Sequence, residues 1–130
     1  MNITKCKSFT ASAVIGLNRD YTDKRVSKAE LKEAILNTQH KIKDTEGVLL
    51  SVKLTQCEIL FLGQDEPSVT FDFIQYPKFL RDKKVWKNAV VQFVKNIMAV
   101  LEQNRTVIVF PDTTLMLENS DKIDPKIKMQ

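Results

Sequence analysis

The order in which two hydrophobic periodicities alternate along this 130-residue chain constrains its fold more than any single motif. Some apolar segments repeat every second residue, as strands do, and others repeat at the 3.6-residue period of a helix. Along the chain the order is strand, helix, strand, strand, helix, strand. This order predicts one α+β sandwich, in which both helices cover the same face of an antiparallel sheet.

The two helices are the best-defined segments. Ser27 and Glu30 have the spacing of a capping box at the start of the first helix, and Gly47 is a natural residue for its end. A second helix is predicted from Asp82 to Asn104, where a wide apolar face includes Trp86. Both helices are therefore amphipathic and need a sheet to cover.

The stretch Val48–Leu62 is predicted to be strand, but its apolar parity changes near Thr55 and Gln56. Such a change indicates either a β-bulge in one long strand or a turn between two short strands. We favour the bulge, because Thr-Gln is poor chemistry for a two-residue hairpin. Acidic residues Asp65 and Glu66 then fall in the following turn, where solvation explains them.

The complete arrangement predicted is a two-layer ferredoxin-like sandwich, β-α-β-β-α-β, with an extra C-terminal edge strand. Residues 1–118 form the single domain. Residues 119–130 are polar and contain Pro125, so we expect a loose tail.

The net charge of +4 is concentrated in one segment before and within the second helix. Its basic residues are Lys78, Arg81, Lys83, Lys84 and Lys87. Only Asp82 opposes them, and a helix N-terminus already favours anions. The segment is a candidate site for an anion, a nucleic acid or an acidic partner. The alternative is a solvated lysine-rich face.

A second candidate site is the loop that follows the first strand. It presents a cation, a carboxylate and a phenol together at a strand end, through Asn18, Arg19, Asp20 and Tyr21. The alternative is that Asn and Asp simply favour turns.

The stretch Phe71–Tyr76 resembles the aromatic half of the third-strand signature of the RNA-recognition motif. That resemblance implies that Phe71 and Phe73 face outward and stack on bases. Parity argues otherwise, because the same arrangement would turn the Asp72 carboxylate into the core at a cost of several kcal/mol. We therefore predict that both phenylalanines are core residues.

Chemistry-bearing residues are sparse elsewhere. Cys6 and Cys57 match no zinc or redox spacing, and His40 lies on the wet side of the first helix. We expect no metal, no cofactor and no catalytic set. No apolar run approaches the ~20 residues of a membrane span, and the cysteines fit free thiols, so we expect a cytoplasmic protein without a membrane partner.

Several large apolar residues fall on the parity opposite to the inward set presumed for their strands. They are Leu49, Leu60, Leu62, Ile108 and Phe110. An apolar second face favours self-association, unless the bulge is misplaced. The preferred function is a non-catalytic binding or assembly module acting as a homo-oligomer. The alternatives are nucleic-acid binding through Lys78–Lys87, and a small enzyme or sensor with a pocket near Asn18–Tyr21.

Overall fold

A computed structural model describes residues 1–130 and shows two helices packed on a five-stranded antiparallel sheet. The strands are β1 (Ala11–Gly16), β2 (Ser51–Phe61), β3 (Gln64–Ile74), β4 (Arg105–Val109) and β5 (Thr114–Glu118). The helices are α1 (Lys28–Glu46) and α2 (Lys83–Val100). The strand order β2-β3-β1-β4-β5 confirms the ferredoxin-like α+β sandwich with an extra edge strand.

The helix signals correspond to real caps. The Ser27 hydroxyl accepts a hydrogen bond from the Glu30 amide at 3.1 Å, and Gly47 closes α1 in the left-handed conformation with φ of 66°. At the start of α2, the Asp82 carboxylate accepts from the Lys84 amide at 3.1 Å. Neither helix combines the length and the apolar character needed to cross a bilayer.

The core lies between the sheet and the helices and is centred on aromatic side chains. Phe71 and Phe73 are 0% and 2% exposed, and their rings meet Phe93 of α2 edge-on at 6.2 and 5.3 Å between centroids. Edge-to-face pairs of this kind add to the burial of apolar area. The core prediction is confirmed, and the base-stacking role implied by the RNA-recognition motif is wrong.

The predicted bulge in the second strand is absent. β2 and β3 pair in one unbroken register from Ser51 opposite Ile74 to Phe61 opposite Gln64. What changes along β2 is the face that carries apolar side chains. Its first half packs on the core beneath the helices, whereas its second half belongs to a hairpin that extends beyond the last β1–β3 pair. There, the parity puts the apolar side chains on the opposite face: Cys57, Ile59 and Phe61.

The face assignment of β4 also needs correction. Ile108 and Phe110 are core residues, 0% and 3% exposed, and Val107 and Val109 face outward instead. Thr106 occupies the remaining inward position, and that polar residue obscured the parity. Ile108 and Phe110 face the core, rather than Val107 and Val109, because burying the larger side chains removes more apolar area from water.

The three leucines Leu49, Leu60 and Leu62 do not form an outer surface of the sheet either. Leu60 shares the parity of the core-facing residues of β2 but lies on the overhanging hairpin, where it is exposed. Leu49 and Leu62 lie outside the strands and are also exposed. The outward apolar residues of the sheet are a different set, which includes Ile59, Phe61, Val107, Val109 and Met116.

The C-terminal segment differs from the loose tail that we expected, because it returns to the sheet. The Asn104 side-chain amide donates to the carbonyls of Ser120 and Lys122 at 3.2 and 3.1 Å. Further along, the Lys128 amide donates to the Leu62 carbonyl at 2.6 Å. These bonds tie Ser120 and Lys122 to the residue before β4, and Lys128 to the tip of the overhanging hairpin.

Candidate active site

A cleft of about 410 Å³ opens on the sheet face away from the helices, where the β2–β3 hairpin extends beyond β1. We call it the outer cleft. Six of the residues that line it are Tyr21, Phe61, Gln64, Glu66, Gln103 and Asp124. Strand β3, the loop after β1, the start of β4 and the C-terminal segment all contribute side chains. The cleft therefore exists only once the whole sheet has formed.

Glu66 of β3 is one of the two carboxyl groups that line the outer cleft. It is half-buried, and burial is the main cause that raises the pKa of its carboxyl group. The nearby negative charge of Asp124 raises the pKa further, and the positive charge of Lys126 opposes this effect. A carboxyl group shifted in this way, inside a cleft, has the properties of a functional acid or base.

Gly16 makes room for this carboxylate. A Cβ atom at Gly16 would collide with Oε1 of Glu66 and would lie 2.6 Å from Oε1 of Gln103. The Gln103 amide nitrogen donates to the carbonyls of Asn18 and Leu101 at 2.9 and 3.1 Å, which fixes the orientation of the side chain. Because Gly16 lacks the positive φ that favours glycine, space rather than backbone conformation requires it here.

The loop predicted as a ligand site lies at the edge of the outer cleft and contributes one side chain to it, Tyr21. Arg19 instead forms ion pairs with Glu30 at 2.6 Å and Glu102 at 3.3 Å, and these hydrogen bonds raise its pKa.

The two remaining residues of this loop make structural contacts. Asp20 pairs with Lys122 at 3.3 Å, and the carbonyl of Asn18 accepts the Gln103 bond described above. Asp20 and Tyr21 both have positive φ values, 45° and 57°. Most of this loop therefore makes contacts that stabilise the fold, and only the phenol of Tyr21 lines the cleft.

The predicted basic segment lies at the other end of the sheet. Lys83 and Lys87 both contact the Asp112 carboxylate at 3.0 Å, and Lys87 also lies 4.7 Å from the centre of the Phe110 ring. We call this cluster, with Phe9 beside it, the basic end.

The other three basic residues of the segment do not join that cluster. Arg81 donates to the Gly47 carbonyl behind α1, and Lys78 and Lys84 are exposed. The structure therefore brings only two of the five predicted residues together, and both share one acidic partner.

A second groove, of about 780 Å³, opens beside the basic end. It is lined by the N-terminal segment, including Lys5 and Lys7, and by the ends of β3 and β4, with Asp72 as its one acidic residue. Neither groove contains a group of three His, Cys, Asp or Glu side chains suited to a metal ion. Cys6 and Cys57 are free thiols.

The chain resembles known proteins in structure but not in sequence. No family model matches the sequence, and no curated protein matches it. Two solved structures match over nearly the whole chain. One is a phage SAM lyase in complex with S-methyl-5'-thioadenosine, with a TM-score of 0.66, 17% identity, and coverage of 95% of this chain and 98% of that chain. The other is a phage SAM lyase in the apo state, with a TM-score of 0.66, 15% identity, and coverage of 94% and 100%.

These matches correct the preference for a non-catalytic binding or assembly module. The solved chains that share this fold from end to end are described as an enzyme, and one of them holds a small molecule. Among the alternatives drawn from the sequence, a small enzyme is the one in line with the comparison.

The central residues of the outer cleft were not predicted from the sequence. Glu66 was placed in a turn with Asp65, but β3 begins at Gln64, so Glu66 lies within a strand and faces the cleft. Gly16 carried a signal that we did not use, since a glycine ending a buried strand often marks a close approach of another group. Asp124 carried no signal, because only the folded chain brings it to Gln64.

Proposed function

We propose that this chain is a lyase that cleaves S-adenosylmethionine (SAM) and releases S-methyl-5'-thioadenosine. The observation that carries the proposal is the half-buried Glu66 carboxylate, set in the outer cleft of a chain whose fold matches a phage SAM lyase over nearly its full length. The volume of the cleft, about 410 Å³, is in the range of small-molecule sites.

Charge favours the outer cleft over the larger groove. SAM carries a positive sulfonium, which acidic groups attract and lysines repel. The outer cleft offers Glu66 and Asp124, and its one arginine, Arg105, is already paired with Glu118 at 2.5 Å. The larger groove instead presents Lys5 and Lys7.

Aromatic rings strengthen the same choice. Phe61 and Tyr21 line the outer cleft from opposite elements, the end of β2 and the loop after β1. An aromatic face attracts a cation such as a sulfonium, and it also stacks on a planar base such as adenine. Both parts of SAM therefore find suitable chemistry here.

The reaction breaks the bond between sulfur and the methylene of the amino-acid chain. Sulfur keeps the electron pair and becomes the neutral thioether of S-methyl-5'-thioadenosine. The carbon gains its replacement pair from the carboxylate of the substrate, which closes a ring, or from a neighbouring C–H bond whose proton a base removes. Ionised Glu66 serves either route, by binding the substrate ammonium in the first or by accepting the proton in the second.

The test is to incubate the purified chain with SAM and measure S-methyl-5'-thioadenosine by chromatography and mass spectrometry. We expect release well above a protein-free blank, and a loss of about 100-fold or more in Glu66→Gln. Asp65→Asn is the matched control, because it makes the same charge change one residue away, on an exposed side chain outside the cleft.

Two results would contradict the proposal. One is that protein in equimolar amount to SAM releases no more product than the blank. The other is that Asp65→Asn loses as much activity as Glu66→Gln, which would remove Glu66 from its assigned role.

We further propose that the chain self-associates through the outward face of the sheet beyond the outer cleft, where Val109 and Met116 are exposed. An apolar sheet face without helices over it is favourable to cover. Sedimentation should show an oligomer that Val109→Lys dissociates. Leu36→Lys, at an exposed apolar position on α1, should leave it intact. Weak association becomes detectable at roughly tens of micromolar protein. A wild-type chain that is still a monomer at that concentration would contradict self-association.

We assign the chain to the cytoplasm on the basis of its cysteines. Cys6 and Cys57 are both unpaired and only partly buried. Thiols of this kind persist in a reducing compartment, whereas an oxidising one favours disulfides.

A further inference from the structure

The C-terminal segment is built into the outer cleft by backbone bonds. Around Asp124 the chain makes a tight turn, in which the Lys126 amide donates to Oδ1 of Asp124 and the Ile127 amide donates to its carbonyl, both at 3.0 Å. Lys128 then bonds to Leu62 at the tip of the β2–β3 hairpin. The turn thus holds Asp124 at a fixed place in the cleft wall.

Asp124 differs from every other charged residue in the protein. It is 6% exposed and is the only charged residue that the fold buries. A buried carboxylate is costly unless its oxygens accept hydrogen bonds. Here Oδ1 accepts from Lys126, and Oδ2 accepts from the Gln64 side-chain amide at 2.9 Å.

Gln64 links this carboxylate to Glu66. Its amide nitrogen carries two hydrogens, and it lies 2.9 Å from Oδ2 of Asp124 and 3.5 Å from Oε2 of Glu66. An ionised carboxylate accepts hydrogen bonds and donates none. Asp124 therefore requires the nitrogen of Gln64, rather than its oxygen, to face both acids. Oε2 of Glu66 is thereby held, and Oε1 is left over Gly16.

We propose that Asp124 is a positioning residue for Glu66, acting through Gln64, so that the C-terminal segment is part of the active site; this inference rests on the function proposed for Glu66. Asp124 orients the amide that holds the Glu66 carboxylate. Its negative charge also disfavours ionisation of Glu66.

The charges around Glu66 predict the direction of each effect. Asp124 raises the pKa of Glu66 and Lys126 lowers it. Arg105 and Tyr21 also line the cleft, and Arg105 is paired with Glu118. Since activity needs ionised Glu66, removing the Asp124 charge moves the acid limb of the pH profile to lower pH. Removing the Lys126 charge moves that limb to higher pH.

The experiment compares Asp124→Asn and Lys126→Gln in the full-length chain. Profiles of kcat/KM against pH for release of S-methyl-5'-thioadenosine should shift in opposite directions. At its plateau, Asp124→Asn should also lose about tenfold or more in kcat, because Glu66 is no longer held. Lys126→Gln changes an exposed side chain, so it keeps the test valid if Asp124→Asn folds poorly.

Carboxyl ¹³C NMR titration of Glu66 provides a readout that needs no activity. The same opposite shifts are expected in the titration of Glu66 in the two variants. If SAM is not cleaved but these shifts appear, the proposed function fails and the coupling of Asp124 to Glu66 stands. If SAM is cleaved, and the acid limbs and titrations of both variants coincide with wild type, the positioning role of Asp124 is overturned.

Discussion

Two carboxylates at opposite ends of the sheet have pKa values displaced in opposite directions. At the basic end, hydrogen bonds from Lys83 and Lys87 hold the pKa of Asp112 well below its usual range. In the outer cleft, burial and the neighbouring Asp124 raise the pKa of Glu66. One carboxylate gains cationic partners on folding, and the other loses water and gains an acidic neighbour.

This difference separates a structural cluster from a functional one. Two of the lysines of the basic segment, Lys83 and Lys87, are compensated at the basic end by Asp112 and by the rings of Phe9 and Phe110. Glu66 is not compensated to the same degree. Proteins retain such unfavourable groups mainly where they act on a ligand, so the end that lowers stability is the better candidate for chemistry.

The largest expected effect comes from filling the space beside Glu66. In Gly16→Ala, the new methyl group would overlap Oε1 of Glu66 and crowd Gln103. Overpacking of this kind costs roughly 1 to 3 kcal/mol in free energy of unfolding. Displacement of the carboxylate should reduce kcat/KM by about 100-fold. Denaturant unfolding and product release measure the two effects.

Ser12→Ala is the matched control for that variant. Ser12 lies on the same face of β1 but at its opposite end, beside the basic end rather than the outer cleft. Its stability and activity should stay near wild type. Wild-type activity in Gly16→Ala would show that Glu66 does not need its observed position, and it would weaken the contrast between the two ends.

The fold could be predicted because its signals are local. The capping box of Ser27 and Glu30 and the alternation around Phe71 and Phe73 each depend on a few neighbouring residues. The observed cap and the observed burial both agree with the elements that the periodicity predicts. Where one polar residue occupied an inward position, as Thr106 does in β4, the alternation was misassigned.

The outer cleft could not be predicted because it depends on long-range register. Glu66 meets Gly16 only because the β2–β3 hairpin extends past β1, an extension that a bulge in β2 would have altered. Asp124 lies 60 positions from Gln64 in sequence, and the two meet through a segment that looks unstructured by composition. Neither contact leaves a periodic trace in the sequence.

The smallest but most direct test of the comparison neutralises each carboxylate and measures stability against pH. Asp112→Asn should be less stable than wild type at neutral pH. The folded-state pKa of Asp112 is depressed, so its contribution is present above the ordinary aspartate pKa and is lost as the pH falls through the folded value. The deficit of Asp112→Asn should therefore narrow as the pH falls below the ordinary aspartate range.

Glu66→Gln should show the opposite sign. The folded-state pKa of Glu66 is raised, so the folded protein binds the proton more tightly than the unfolded chain does. Ionised Glu66 thus lowers stability above its folded pKa, and this penalty disappears below the ordinary glutamate pKa. Glu66→Gln should be more stable than wild type at neutral pH and equal to it in acid. Thermal unfolding from about pH 3 to 8, which spans roughly the ordinary carboxyl ranges, measures how the difference narrows for Asp112→Asn and vanishes for Glu66→Gln. If both variants are less stable than wild type at neutral pH, Glu66 stabilises the fold as Asp112 does. The outer cleft would then no longer be supported as the active site.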